Sequence, residues 1–228
     1  MATVEKIQSK TAASPRRIEG EQRFLLHDIP WKAYVAISDA LGDRSSPRVT
    51  FDRGSLEFMT PLGIHEFYKC NLSGLIQALA EESELEIKLG GEMTFRREDL
   101  VHGFELDNCL WIEHEAAVRG KTTYDAYNDP PPDLGIEIEI TRSAIDRMAL
   151  FAAIGIAQIW RFDGDNLWVE VLQTDGTYRR ADRSPTFPWA PLEEIVPFIE
   201  PNPTMGYLAV IAAFRQWARE KRSQQTGS

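Results

Sequence analysis

The chain has 228 residues and a mass of 25.9 kDa, with 25 Lys and Arg against 35 Asp and Glu, a formal net charge of −10. At roughly 150–200 residues per domain this is one globular domain with extensions, and 43% hydrophobic against 26% charged residues excludes disorder over most of the length. The acidity (pI about 5.0) excludes a protein that coats nucleic acid by charge alone, because such binding rests on Lys and Arg meeting phosphates, yet it leaves room for a small nucleic-acid site.

In chain order, residues 1–27 are a polar extension whose first twenty residues lack the apolar stretch of a signal peptide. Residues 29–41 (IPWKAYVAISDAL) predict a short helix. RVTFDRGSLEFM, residues 48–59, alternates around Asp52-Arg53-Gly54 and predicts a β-hairpin. From residue 62 to 82, Ile64, Phe67, Tyr68, Leu72, Leu75, Ile76 and Leu79 form one apolar face of a long helix. LEIKL and MTFRR read as two strands split by Gly90-Gly91, and CLWIE, residues 109–113, as a further strand. DPPPDL is closed to helix by its prolines and delivers the chain extended into LGIEIEI, residues 134–140.

Residues 143–156 predict a helix with a capping-box-like start, Ser143 followed by Asp146, and a Gly155 stop. The strands QIWRF, NLWVEVL and TYRRA follow, the first two joined through Asp163-Gly164-Asp165. Helices near 191–199 and 204–221 complete the chain, the last strongly amphipathic and expected against its own sheet or a second subunit. The order implies an α/β (α+β) core with one central mixed sheet flanked by helices, over residues 28–200, and a C-terminal amphipathic helix and tail over 201–228. Cys70 and Cys109 offer neither a disulfide framework nor metal-ligand spacing, and no run approaches the ~18 apolar residues of a membrane span. A cytoplasmic location is the expectation.

The charge is uneven. Residues 51–140 hold 7 basic and 19 acidic side chains, an excess larger than that of the whole chain. Much of it is solvated surface, such as Glu81, Glu82, Glu84 and Glu86. In LGIEIEI, Leu134, Ile136, Ile138 and Ile140 share one face, and Gly135, Glu137 and Glu139 the other. This pattern suits an antiparallel strand with one wet face. It equally suits a covered central strand, since a crossover-length helix and another apolar strand follow; there, paired carboxylates need a compensating cation or hydrogen bonds. Asp107, in FELDNCLWIE, reads as a turn residue or as a third acid at a neighbouring strand end, an oxygen-rich setting of the kind Mg²⁺ or Mn²⁺ prefers.

The succession TFRRED, GFELDNCLWI, DPPPDLGIEIEIT and IDRMALFAAIGIAQIWRFDG resembles the Uma-two family of restriction-endonuclease-like proteins, within the PD-(D/E)XK nuclease superfamily, over roughly residues 28–200. The resemblance implies a restriction-endonuclease-like core and a divalent-metal-dependent endonuclease acting on DNA. It puts Asp107 and Glu137 in the places of the two metal-ligating acids, with Glu139 in the slot of the usual lysine and a third ligand or base. Arg147 then becomes the charge stabiliser on the following helix, although an ordinary surface cation is its plain alternative. His65 and Glu66 fall where the family often carries a His-containing motif, Glu66 as an outer acid.

Two departures matter. Leu106 stands where the motif has proline, and no lysine occurs between Lys121 and Lys221. Arginine stays protonated, so it stabilises charge but does not serve readily as a base. Arg96 and Arg97 are expected in surface ion pairs, and Trp160, Trp168 and Trp189 as packing residues. The expected cofactor is Mg²⁺ or Mn²⁺, and the expected partners are DNA, bound weakly and in a salt-sensitive way, and a second copy of the chain in a homodimer. The rival expectation is a nuclease-fold binding or regulatory protein without useful catalysis.

Overall fold

The apolar alternation of the strands and the 3.6-residue periodicity of the helices resolve into one mixed sheet with helices on both faces. The computed structural model describes residues 21–42, 44 and 46–226. The elements are β1 (Gln22–Leu26), α1 (Trp31–Leu41), β2 (Arg48–Asp52), β3 (Ser55–Thr60), α2 (Gly63–Glu82), β4 (Lys88–Arg97), β5 (His102–Trp111), α3 (Glu115–Val118) and β6 (Leu134–Ile138). Then come α4 (Arg147–Ile154), β7 (Gln158–Phe162), β8 (Leu167–Leu172), β9 (Tyr178–Ala181), a 3₁₀ turn at Leu192–Glu194, α5 (Val196–Ile199) and α6 (Tyr207–Thr226). The sheet order is β1-β3-β2-β5-β6-β7-β8-β9, with β4 also paired to β5. Among the described residues β6 and β7 alone run parallel, joined through α4; the other pairs are antiparallel.

On one face, α2 buries Leu72, Leu75, Ile76 and Leu79 against Ile136, Ile138 and Trp160. Each such side chain contributes roughly 1.5–3 kcal/mol on leaving water. The other face packs Phe104, Leu106 and Ile159 against Leu150 and Phe151 of α4. A smaller cluster joins Tyr34 of α1 to Val49, Phe51 and Leu56 of the β2–β3 hairpin.

Several elements depart from the expectations. β1 forms within the segment read as an extension. LEIKL and MTFRR are parts of one region in which Gly90-Gly91 sits inside β4, not between two strands. Pairing with β5 continues through register shifts there, so the glycines make a bulge instead of a turn. A Cβ at Gly90 would lie 2.4 Å from Cys109 Sγ. The strand containing CLWIE begins at His102, which places Asp107 inside a strand.

Residues 143–146 precede the helix instead of starting it. Ser143 Oγ donates to Glu57 at 2.7 Å, and Asp146 is the cap that accepts from Ala149 N at 3.2 Å. Gly155 ends α4 at φ +90°, a left-handed value that glycine adopts without Cβ strain. Finally, α6 packs mainly on α2, with Phe214 and Ala218 joining the α2-side core. Arg96 pairs with Asp39 at 2.5 Å and Arg97 with Asp99 at 2.7 Å, so both engage in local ion pairs.

Candidate active site

The sheet divides along β5. One edge of this strand pairs with β4 over its whole length. The other edge is shared: Gly103 and His102 pair with β2, while Asn108, Cys109 and Leu110 pair with β6. Between them lies a fork, and two acids of β5 take up backbone groups that a continuous ladder would have paired. Glu105 Oε1 accepts from Val49 N at 3.3 Å, and Asp107 Oδ2 accepts from Ile138 N at 2.6 Å. The β6 register, Asn108 opposite Ile136, sets Asp107 across from Glu137 where the pairing ends.

Asp107 is turned toward α2. Its neighbour Leu106 lies in the core on the α4 face, and period two sends Asp107 to the opposite face. There its carboxylate, 2% exposed, pairs with Arg48, and its Oδ2 lies 3.4 Å from His65 Nε2. His65, wholly buried on α2, places Nε2 3.1 Å from the Ile138 carbonyl oxygen. Burial pushes its pKa down, and the charge of Arg48 adds to this, so the ring is neutral near pH 7. With the proton on Nε2 it donates to that carbonyl, and its buried Nδ1 makes no hydrogen bond.

Arg48 reaches outward to Glu66 at 3.0 Å and Glu92 at 3.7 Å. Lys69 bridges the same two glutamates, 3.1 Å from Glu92. Burial works to raise the Glu66 carboxyl, but Lys69 and Arg48 outweigh it and hold the pKa below its ordinary value.

Glu137 is turned the other way, toward α4, on the same face as Gly135, whose added Cβ would meet Ile159 and Leu106. Arg147 clamps it with Nε on Oε1 at 2.5 Å and Nη2 on Oε2 at 3.0 Å. The same guanidinium donates through Nη1 to Thr50 Oγ1 at 2.6 Å and through Nη2 to the Glu105 carbonyl at 2.6 Å, closing the fork from below. Burial opposes the Arg147 charge, but Glu137, with Glu57 and Glu105 behind it, leaves its pKa raised. The entry to α4 is pinned by Glu57, which accepts from Arg23 Nη1, Ser143 Oγ and Ala144 N. Glu139 follows the end of β6 and pairs with Arg161 of β7. Glu137, Glu139, Arg142, Arg147 and Arg161 line a cleft of about 350 Å³.

The structure therefore brings Glu137, Glu139 and Arg147 around one cleft, and Asp107, His65 and Glu66 into one network on the other side of the fork. Among the described residues no three His, Cys, Asp or Glu side chains are already gathered as metal ligands. Arg147, read from the sequence as a charge stabiliser or a surface cation, is largely buried and engages Glu137, Thr50 and the Glu105 carbonyl. Arg48, Lys69, Glu92, Arg161 and Glu105 were not legible as site residues. Glu105 alone carried a signal, sharing strand parity with Asp107. Its Oε2 is buried without a hydrogen-bond partner, and burial raises its pKa to about 7.

The donor chemistry fits a hard divalent cation. The acids are carboxylate oxygens, the Ile138 carbonyl and Asp107 Oδ2 lie 3.1 and 3.4 Å from His65 Nε2, and the orphaned Glu105 Oε2 is an acceptor in want of a proton or a cation.

Comparison with known proteins adds the family. The sequence model of the Uma2 family, described as "Putative restriction endonuclease", matches residues 31–203. Among solved structures, the chain is similar to one from Anabaena variabilis ATCC 29413, described as "a putative nuclease belonging to DUF820". That similarity has a TM-score of 0.50 at 15% identity, covering 75% of this chain and 99% of that one, and it shows a shared fold. No curated protein matches significantly.

Proposed function

The chain belongs to the Uma2 family of restriction-endonuclease-like proteins, and from that premise we propose that it is a divalent-metal-dependent endonuclease hydrolysing phosphodiester bonds of DNA. The observation that carries this reading is the fork, where the backbone positions of Asp107 and Glu137 come opposite each other as β5 and β6 part, their side chains lying on the two faces of the gap. Asp107 and Glu137 would hold Mg²⁺ or Mn²⁺, with Glu139 as a third acid, provided each carboxylate exchanges its arginine for the ion and turns into the gap of the fork. When bound, the ion supplies Lewis-acid polarisation of the phosphoryl group and lowers the proton affinity of a water.

The chain's own residues do the rest. Arg147 fixes the Glu137 carboxylate through two parallel hydrogen bonds, which leaves lone pairs on both oxygens for a further ligand. It acts by positioning that acid, since its other contacts are with Thr50, the Glu105 carbonyl and the Phe151 ring. Arg142, exposed on the cleft wall, is placed to meet an incoming phosphate. His65 holds the Ile138 carbonyl and keeps the β6 end aligned with Asp107. Glu139 is the acid available to accept a proton at the cleft. Cutting both strands of a duplex calls for two such sites, hence a homodimer. Among the described residues no helix is long and apolar enough to cross a membrane.

Supercoiled plasmid incubated with Mn²⁺ should be nicked by the parent protein and left intact by Asp107→Ala and Glu137→Ala. Equal nicking by all three overturns the assignment. One observation favours a second reading: each proposed ligand is already neutralised by an arginine (Asp107 by Arg48, Glu137 by Arg147, Glu139 by Arg161), and no lysine lines the cleft. In that reading the fold binds without cutting. Calorimetry separates the two, because a site that takes up Mn²⁺ and loses it in Glu137→Ala belongs to the enzyme.

A further inference from the structure

The α4 face of the sheet continues outward beyond Glu137. The parallel register sets Glu137 opposite Arg161 of β7, and the next pair sets Arg161 opposite Trp168 of β8. Period two keeps this row on one face. Arg161 Cζ lies 5.2 Å from the Trp168 ring centroid, and Arg180 Cζ, reaching from β9 on the other flank, lies 5.0 Å from it. Both neighbouring strands thus bring a guanidinium against the indole, whose Nε1 donates to Glu170 at 3.1 Å.

The two arginines differ in what they have left to offer. Arg161 is paired with Glu139. Arg180 is exposed, and among the described residues no carboxylate lies within ion-pairing distance of it. A guanidinium resting against an aromatic ring loses little freedom on binding and keeps N–H donors for the bidentate geometry of a phosphate. With two guanidinium groups already against its ring, Trp168 supports cations instead of stacking on a base. Trp168 and Arg180 also line, with Arg183 and the carboxylates of Asp165, Asp182 and Glu193, an open trough of about 480 Å³, which therefore suits a phosphate at its Arg180 side and not along its whole length.

Building on the nuclease reading, we propose that the β8–β9 wing is the track for the DNA duplex backbone, with Arg180 on Trp168 gripping a phosphate and the row through Arg161 leading to the Glu137 cleft. The contact is made to the backbone, so it is independent of base sequence.

The test is fluorescence anisotropy of a labelled random-sequence duplex with the full chain in EDTA, across a salt series, beside a plasmid-nicking assay of the same preparations in Mn²⁺. Arg180→Glu should weaken duplex binding by about tenfold, and Arg180→Ala should lower the slope of log affinity against log salt by about one. Arg180→Lys should recover most of the slope but only part of the affinity. Trp168→Ala should lose affinity with the slope kept, since both arginines remain. Because Arg180 is exposed, the outcome does not depend on Trp168→Ala folding. Unchanged binding and slope in Arg180→Glu, with nicking by the parent intact, overturns the track alone. A parent that neither binds duplex nor nicks plasmid overturns the nuclease reading and the track together. Tighter binding to an RNA duplex, with the same loss in Arg180→Glu, overturns the DNA assignment of the wing.

Discussion

The two sides of the β5 fork carry the same kind of pair in different surroundings. Toward α2, Asp107 and Arg48 have side chains only 1% and 5% exposed, tied to His65, Glu66, Lys69 and Glu92. Toward α4, Glu139 and Arg161 face an open cleft at 21% and 18%. Glu137 and Arg147 stand between, at 9% and 15%. The comparison teaches that an arginine–carboxylate pair has no fixed role. Where water is excluded, neither partner can be lost without stranding the other, so the pair acts as a fastening. Where water and ligands enter, the carboxylate can exchange its cation, which is what a reactive site needs.

The sharpest way to break this contrast is to remove one cation from each side. Arg48→Met should destabilise the protein by about 3–5 kcal/mol, because it strands the Asp107 charge under α2; urea unfolding reads this directly, and a loss below about 1 kcal/mol would show that Asp107 has another compensating partner.

Glu105 comes next, and its effect depends on pH. Its carboxyl has an ordinary value of 4.5 that burial raises to about 7 in the fold. Below pH 4.5 it is protonated in both states and has no effect on stability. Between the two values the unfolded chain ionises while the folded chain keeps its proton, so stability falls as pH rises and the loss is complete above about 7. Glu105→Gln should remove a penalty on the order of 3 kcal/mol at pH 8 and flatten this slope, measured as unfolding free energy against pH in EDTA. A slope identical to the parent's would assign the pH dependence to another group.

Arg161→Ala, on the open side, should cost only about 1 kcal/mol, while freeing Glu139 toward the cleft; thermal unfolding beside Mn²⁺ calorimetry follows both effects. Smallest is Lys69→Ala, at the rim of the α2-side network. Glu66 keeps Arg48 at 3.0 Å, so a change of about 0.5 kcal/mol is expected by thermal unfolding.

Most of the framework was legible in the sequence because it rests on local periodicity. The spacing of Leu72, Leu75, Ile76 and Leu79 marks a helix, and Leu134, Ile136 and Ile138 mark a strand face wherever these segments end up in the fold. Asp107 was read as a turn residue or an acid at a strand end, and not as lying inside a strand, because a bulge hides the alternation there. The β4–β5 register shifts, and Asn108 reaches Ser73 on α2 instead of continuing the alternation to the other face. Arg48, Lys69 and Glu92 could not be read as a network, since they lie on separate elements that only the sheet order brings together. Arg161 sits in QIWRF as one polar residue of a strand. Its meaning depends on the parallel pairing that sets it opposite Glu137.

The fork also governs when the site comes into being. Its three arms, β2, β5 and β6, lie far apart along the chain, and Arg147 must then fold back from α4 to reach Thr50 on one arm and Glu137 on another. No hairpin or other local unit contains both proposed ligands together with their fastenings. Each loop closure must therefore be completed before Asp107 and Glu137 reach the two sides of one fork. A chain still emerging from the ribosome, or one opened at its edge, holds all of these residues and none of the site.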